Sequence, residues 1–419
     1  MNDEQRRLTQ YFLGAANEIF RPPEGCLRHP YLVPGGLYAN QLWDWDSYWM
    51  LKGLRAAAQH AGNDFRETLT SHAVGSWKNL MENQAGNGAV PLLLEPGRPD
   101  VFECAREDGT RNQAKPILAQ FALELADMTG DVQWLAPYFD GVMKFLARWR
   151  AVYNGNGSGL IVWGSDLAVG ADNDPAIFGR PEFSSAGLLL NGLFAADLAA
   201  AAHLARQLGR HQDAIELDAQ SRQAAESIRR ECWDPIDAFF YTVDVQCRDQ
   251  RDRYVPADFP QGMAMTWRTL PLKIKSSSGF IPLWAGVASV EQARAMIERH
   301  WTSSDTLNAR WGVRTLASNE RMYSTEGNTS NPSNWLGPVW IIANYLTWAG
   351  LRRYGFIREA NDLAEKTRRL LAQDLAQTGT LHECYHPDTG APNFNGGFLS
   401  WNPLVLLMLS ETSDPVSHL

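Results

Sequence analysis

The sequence predicts an all-α fold, an (α/α)6 barrel of six helical hairpins with long loops at one mouth. Three observations lead there. Helical periodicity dominates the chain, and strand candidates are few and short. Helices that are apolar nearly all round alternate with helices that carry a charged face. The stretches between them are long, and every unusual motif falls in or beside one. No Pro-, Ser- or Gly-rich linker and no run of like charge divides the 419 residues, so a single domain over 1–419 is expected.

In chain order the helical candidates are 3–20, 45–61, 65–83, 113–128, 131–152, 185–208, 211–232, 288–300, 335–354, 357–374 and 399–411. The stretch "AGLLLNGLFAADLAAAAHLARQLG" (186–209) is apolar on every face, as an inner helix must be. The following "RHQDAIELDAQSRQAAESIRREC" has one charged face and suits the outer layer. The same contrast separates "WLGPVWIIANYLTWAGLRRYG" (335–355) from "FIREANDLAEKTRRLLAQDL" (356–375). One strand candidate, "FFYTVDV" (239–245), is an excursion between helices. The connecting segments 22–44, 86–112, 154–183, 245–280, 302–334 and 376–398 are then expected at the mouth.

Composition excludes several function classes. Net charge is −9 and the pI is near 5.5, against the basic face that nucleic-acid binding requires. No stretch approaches about 18 consecutive apolar residues, so no transmembrane helix is expected. The first twenty residues are polar and amphipathic and do not read as a secretory signal. Five cysteines, at 26, 104, 232, 247 and 384, have no CxxC and no regular spacing. They read as reduced thiols of a cytoplasmic protein. Sixteen tryptophans are a clear excess, and flat indole faces suit a sugar-binding cleft as well as a core.

Three stretches carry possible chemistry. In "GGLYANQLWDWDSYWMLKGL" (35–54), Tyr38, Trp43, Trp45 and Asp46 precede a helix. Asp46 reads as its N-cap, as a carboxylate that accepts hydrogen bonds from sugar hydroxyls, or as both, since a capped helix end can also face a cleft. In "VWGSDLAVGADNDPAIFGRP" (162–181), Asp166, Asp172 and Asp174 sit in a turn flanked by Trp163, Ile177 and Phe178. Asp172 is either an Asx-turn residue or a desolvated acid with a raised pKa. In "LHECYHPDTGAPNFNGGFLSWNPLVLLML" (381–409), Glu383 precedes a "PDTG" turn. His382 and His386 beside it have unsuitable metal spacing and nothing resembles HExxH, so no metal is expected. There is no phosphate loop, no GxSxG elbow and no nucleotide fingerprint, so no cofactor is expected.

Together these stretches resemble glycoside hydrolase family 63, especially short bacterial members similar to mannosylglycerate and glucosylglycerate hydrolases. Trehalases and processing α-glucosidase are more distant likenesses. The carrying residues are Trp43–Asp46, Gln113, "GADNDP" (170–175), "WLGPVW" (335–340) and "ECYHPDTG" with Trp401, in the family's order over about residues 30 to 405. The resemblance implies an inverting α-glycosidase acting on a small carbohydrate. It implies Asp172 as general acid and Glu383 as general base. It also implies a sugar subsite lined by Asp46, Gly170, Trp335 and Trp340, with Trp43 and Gln113 nearer the sugar or its aglycone. Asp172 needs aromatic surroundings to stay protonated, whereas Glu383 needs a wetter, polar setting to stay ionised. Asp166 and Asp174 are expected to hold the turn.

Two departures stand out. Leu336 occupies a place where the family often has Arg. The loop after Pro175 is short, where glycerate-specific members have an insertion that helps hold the glycerate carboxylate. Two other functions remain compatible with the barrel, a sugar isomerase or epimerase working through paired histidines and a non-catalytic carbohydrate-binding protein. The motifs leave glucose against mannose, the aglycone and the oligomeric state open.

Overall fold

The computed structural model describes residues 1–247, 268–302, 306–326 and 333–410. The expected loops 245–280 and 302–334 lie partly outside these residues. The chain is helix-rich, with twelve α-helices among the described residues. They are α1 (Asp3–Ala15), α2 (Asp44–Ala58), α3 (Asn63–Glu82), α4 (Leu118–Thr129), α5 (Phe139–Val152), α6 (Leu188–Gln207), α7 (His211–Glu231), α8 (Ile281–Trp284), α9 (Val290–His300), α10 (Ile341–Arg353), α11 (Ile357–Thr378) and α12 (Leu404–Ser410). Strands are two or three residues long and pair in small antiparallel ladders between helices.

Two layers of helix follow from the hydrophobic pattern. Helix α10 is buried at every position from Ile341 to Leu351, and α6 over most of its length. In contrast, α7 and α11 bury one stripe each, including Leu217, Ala224 and Ile228 of α7 and Leu363, Leu370 and Leu371 of α11. The buried helices touch in sequence order: α2 packs on α4, α4 on α6, α6 on α8, α8 on α10, α10 on α12 and α12 on α2. Outside them, α7 lies along α6, α11 along α10, and α3 against α2 and α4. Small residues permit the close crossings. A Cβ on Gly53 would meet Pro403 and Leu404, and one on Gly192 would meet Ile281. One hydrophobic cluster runs from Leu8 to Met408.

Helix α6 is long and apolar enough to cross a membrane by length and composition alone, but 83% of that stretch is buried inside the structure. It is a core helix.

Several helices start later than periodicity predicts, and the cause is local. The 335–354 candidate begins at Ile341, because Gly337 has φ +156° and Pro338 cannot join the ladder, leaving 335–340 extended. The 113–128 candidate begins after Pro116. The 131–152 candidate divides into a 3-10 turn containing Pro137 and then α5. The short helix α8 was not anticipated.

These extended approaches carry the motifs, and backbone pairing sews them together. Leu42–Trp43 pairs with Leu93–Leu94. Val339 and Tyr385 exchange two backbone hydrogen bonds of 2.8 and 2.9 Å, fixing the 335–340 stretch against Glu383. Leu399 donates to the Pro34 carbonyl at 2.8 Å, bringing 398–401 beside 34–38.

Candidate active site

The entrance to α2 opens the site. Trp43 is the N-cap position, and its side chain makes no cap bond; Ser47 donates to the Trp43 carbonyl instead. Asp46 is therefore not a cap. Its Oδ1 accepts the Ser400 hydroxyl at 2.6 Å, and burial raises its pKa to about 7. Asp44, fully buried, accepts the Lys115 backbone N–H at 2.6 Å and pairs with the Lys115 ammonium at 3.4 Å. That ammonium also stands 4.9 Å from the Trp45 ring centre.

The acidic turn is built by its neighbours. Asp174, not Asp172, is the Asx-turn residue, with Oδ1 accepting the Ala176 N–H at 2.9 Å. Asp166 accepts the Gly179 N–H at 2.8 Å. Asn173 accepts the Trp335 N–H at 2.6 Å and donates to Asn334 at 3.2 Å, which ties this turn to the "WLGPVW" stretch. Asp172 is thereby left to face the cavity. Burial raises its pKa, opposed by a hydrogen bond from Ser333 and by the charge of Lys115.

A cavity of about 310 Å³ collects these groups. It is at the lower end of the roughly 300–1,000 Å³ common for small-molecule sites. Tyr38, Trp43, Trp45, Asp46, Gly170, Trp340, Asp172 and Glu383 all line it. The loops 22–44, 86–112, 154–183, 302–334 and 376–398 each contribute at least one lining residue. Aromatic rings form a continuous wall. Phe102 meets Trp43 at 6.0 Å, Trp43 meets Tyr38 at 6.2 Å, and Tyr38 meets Phe398 at 6.1 Å. Phe398 then meets Trp401 at 4.9 Å, and Trp401 meets Trp340 at 5.7 Å and Trp45 at 5.5 Å.

Two expected lining residues stand elsewhere. Trp335 lies behind Trp340, stacked on it at 4.2 Å and 17°, and borders a small apolar void instead. Gln113 is fully enclosed just before α4, and its side-chain amide has no hydrogen-bond partner among the described residues.

Glu383 departs from expectation more sharply. It is 4% exposed, not in a wet setting. Burial pushes its pKa up to about 8. Asn395 opposes this, donating from Nδ2 to Oε2 at 2.9 Å; Asp46 and Asp172 add to the rise, and a Tyr38 hydrogen bond opposes it. Asn395 also accepts the Leu37 N–H at 3.0 Å, so one side chain positions both Glu383 and the turn that carries Tyr38. His382 is structural, its Nδ1 held 2.9 Å from the buried Asp374.

Gly170 has no alternative at its position. Its φ is +90°, and a Cβ there would stand 2.9 Å from both Trp45 and the Lys115 Cε. Gly170→Ala is expected to cost about 1–2 kcal/mol from the left-handed backbone alone, beyond the clash with Trp45. Denaturant midpoints check this, and a wild-type value would contradict it.

Sequence reasoning did not single out Lys115, Ser333, Phe102, Phe398 or Asn395. The first two touch charged partners only through tertiary pairing. Trp401 was in the motif pattern but was not assigned to the sugar subsite.

With this geometry established, the comparisons with known proteins are specific. Residues 38–401 match the family model described as "Mannosylglycerate hydrolase MGH1-like glycoside hydrolase domain". A curated mannosylglycerate hydrolase from Rubrobacter radiotolerans is 30% identical over 206 residues, covering 49% of this chain and 39% of that protein. The chain spans well under half the length of the curated relatives it first matches. Among solved structures, a family 63 mannosylglycerate hydrolase of Thermus thermophilus in complex with glucose superposes with a TM-score of 0.70 at 19% identity, covering 96% of this chain and 100% of that one. Neutral trehalase Nth1 of Saccharomyces cerevisiae shares the fold at a TM-score of 0.63 and 19% identity, covering 90% of this chain and 73% of its own. The family match over most of the chain, together with the cavity that its motifs build, means that this chain belongs to the mannosylglycerate hydrolase MGH1-like glycoside hydrolase family.

Proposed function

We propose that this chain is an inverting α-glycosidase that hydrolyses a small α-linked glucoside or mannoside, on a single (α/α)6 barrel spanning residues 1–419. The observation that carries the reading is that Asp172 and Glu383, far apart in sequence, line one aromatic-walled cavity. The cyclic order of contacts among α2, α4, α6, α8, α10 and α12 supports the barrel, and the single hydrophobic cluster supports one domain. The five free cysteines fit the reducing cytoplasm.

Asp172 enters the reaction protonated and transfers its proton to the glycosidic oxygen as the anomeric C–O bond breaks. Glu383 enters ionised and takes a proton from a water whose oxygen attacks the anomeric carbon from the opposite face. The products are a free alcohol and a sugar of inverted configuration, and proton exchange with solvent resets both carboxyls. An inverting pair leaves room for that water, at roughly 6.5–9.5 Å between carboxyls. Asp46, hydrogen-bonded to Ser400, is placed to accept sugar hydroxyls, while Trp45, Trp340 and Trp401 offer ring faces. Engagement of His382 by Asp374 favours hydrolysis over a histidine-based isomerase.

Proton NMR on α-linked disaccharides and on α-glucosyl and α-mannosyl glycosides tests the reading. The β-anomer is expected as first product. A first-formed α-anomer would replace the base by a nucleophile, and conversion without bond cleavage would support an isomerase.

A further inference from the structure

We infer that the aglycone side of this cavity takes an uncharged group with an apolar face, a neutral sugar ring or an alkyl or aryl alcohol, and not a small carboxylate such as glycerate. The inference rests on the glycosidase reading and narrows its substrate class.

Depth divides the cavity. Trp45, Trp340, Trp401, Asp46 and Glu383 are all buried, so they form the floor where the reacting sugar ring sits. The departing group leaves towards the open side, whose wall is Phe102, Leu167, Ala168, Phe178 and Asp166. Leu167 is 40% exposed and Phe178 56%, and both are large apolar side chains turned to solvent. Leu37, beside the lining residue Tyr38, is 71% exposed. Apolar side chains left in water around a cavity mouth mark a surface that gains by being covered.

Charge points the same way. The lining carries the carboxyl groups of Asp46, Asp166, Asp172 and Glu383. Among the described residues that line the cavity, the cation is Lys115, and its ammonium is already paired with the buried Asp44. The short loop after Pro175 supplies one arginine, Arg180, which bonds Ser185 at 3.0 Å and pairs with Asp244. A carboxylate on the aglycone would enter beside Asp166 with no positive partner among these residues. It would lose hydration and gain like-charge repulsion. A hydroxymethyl group of similar size would meet neither cost.

The test compares α-glucosylglycerol with α-glucosylglycerate, a pair of similar size that differs in charge. An α-linked disaccharide and an aryl α-glucoside are run alongside. The purified protein is expected to favour the glycerol compound in kcat/KM by about tenfold or more, as a modest like-charge penalty requires. The disaccharide and aryl arms should exceed the glycerol compound, and their ranking identifies the neutral aglycone. Leu167→Arg adds a cation at the exposed rim and should narrow the glycerol-to-glycerate ratio. Equal or better hydrolysis of the glycerate compound overturns the inference, as does an unchanged ratio in Leu167→Arg. Hydrolysis of none of the four, and of none of their α-mannosyl counterparts, refutes the glycosidase reading. In that case calorimetric binding of the same pair decides the inference: tighter binding of the glycerol compound supports it, and equal or tighter binding of the glycerate compound overturns it.

Discussion

Asp172→Asn is expected to lower kcat on an unactivated α-glycoside by about 10²–10⁴-fold, the usual worth of one proton-transfer role. The amide keeps the shape of the carboxyl and can still accept the Ser333 hydrogen bond, but it has no proton to give to the leaving oxygen. Folding should be little disturbed, because the turn is held by Asp174, Asn173 and Asp166 and not by Asp172. An α-glycosyl fluoride separates the role from a general loss of function. Fluoride departs with little need for an acid, so the variant should lose far less on this substrate. Equal losses on fluoride and disaccharide would remove Asp172 from the acid role.

Much of the helical scaffold was legible because its two layers differ in composition. "LLLNGLFAADLAAAAHLARQ" cannot face water on any side, and "HQDAIELDAQSRQAAESIRRE" can. The short strands were not legible, since a pair such as Leu42–Trp43 is too brief to show a period of two. The start of α10 was misplaced because the apolar run "WLGPVWIIANYL" outweighed the Gly337–Pro338 signal that holds its first residues extended. In the site, Asp172 and Glu383 were found through their motifs, while their surroundings were not. Lys115 in "NQAKP" has the look of a surface lysine, and only the buried Asp44 reveals otherwise. Polar neighbours in "HECYHP" suggested a wet Glu383, but pairing of Tyr385 with Val339 and hydrogen bonds from Asn395 and Tyr38 enclose it. Sequence distance hides such enclosure, because the enclosing residues come from three separate loops.

Glu383→Gln should be as damaging on disaccharides, again about 10²–10⁴-fold or more, and it should not be spared on the glycosyl fluoride. The attacking water must lose a proton whichever group departs, and an amide cannot take it. The wild-type pH profile follows from the same residue. Burial, reinforced by Asp46 and Asp172, holds the Glu383 pKa near 8. A base works only when ionised, so kcat/KM should climb with pH through a limb far above the ordinary glutamate range near 4.3. Because the three carboxyls interact, the observed midpoint belongs to the group of them. Stability should respond with the opposite sign. A carboxyl whose folded pKa is raised binds its proton more tightly when folded. Its favourable contribution is complete below the unfolded value and disappears as pH rises through about 8. Gln carries no such dependence, and it can keep an acceptor oxygen towards Asn395 and Tyr38. Glu383→Gln should therefore resist denaturant better than wild type at pH 8–9, with the difference shrinking towards pH 4. An inactive variant that is more stable than wild type at alkaline pH would show that burial of Glu383 serves the reaction at the expense of the fold. A variant equally inactive but destabilised at every pH would show instead that Glu383 is needed for packing, and the base would have to be sought elsewhere.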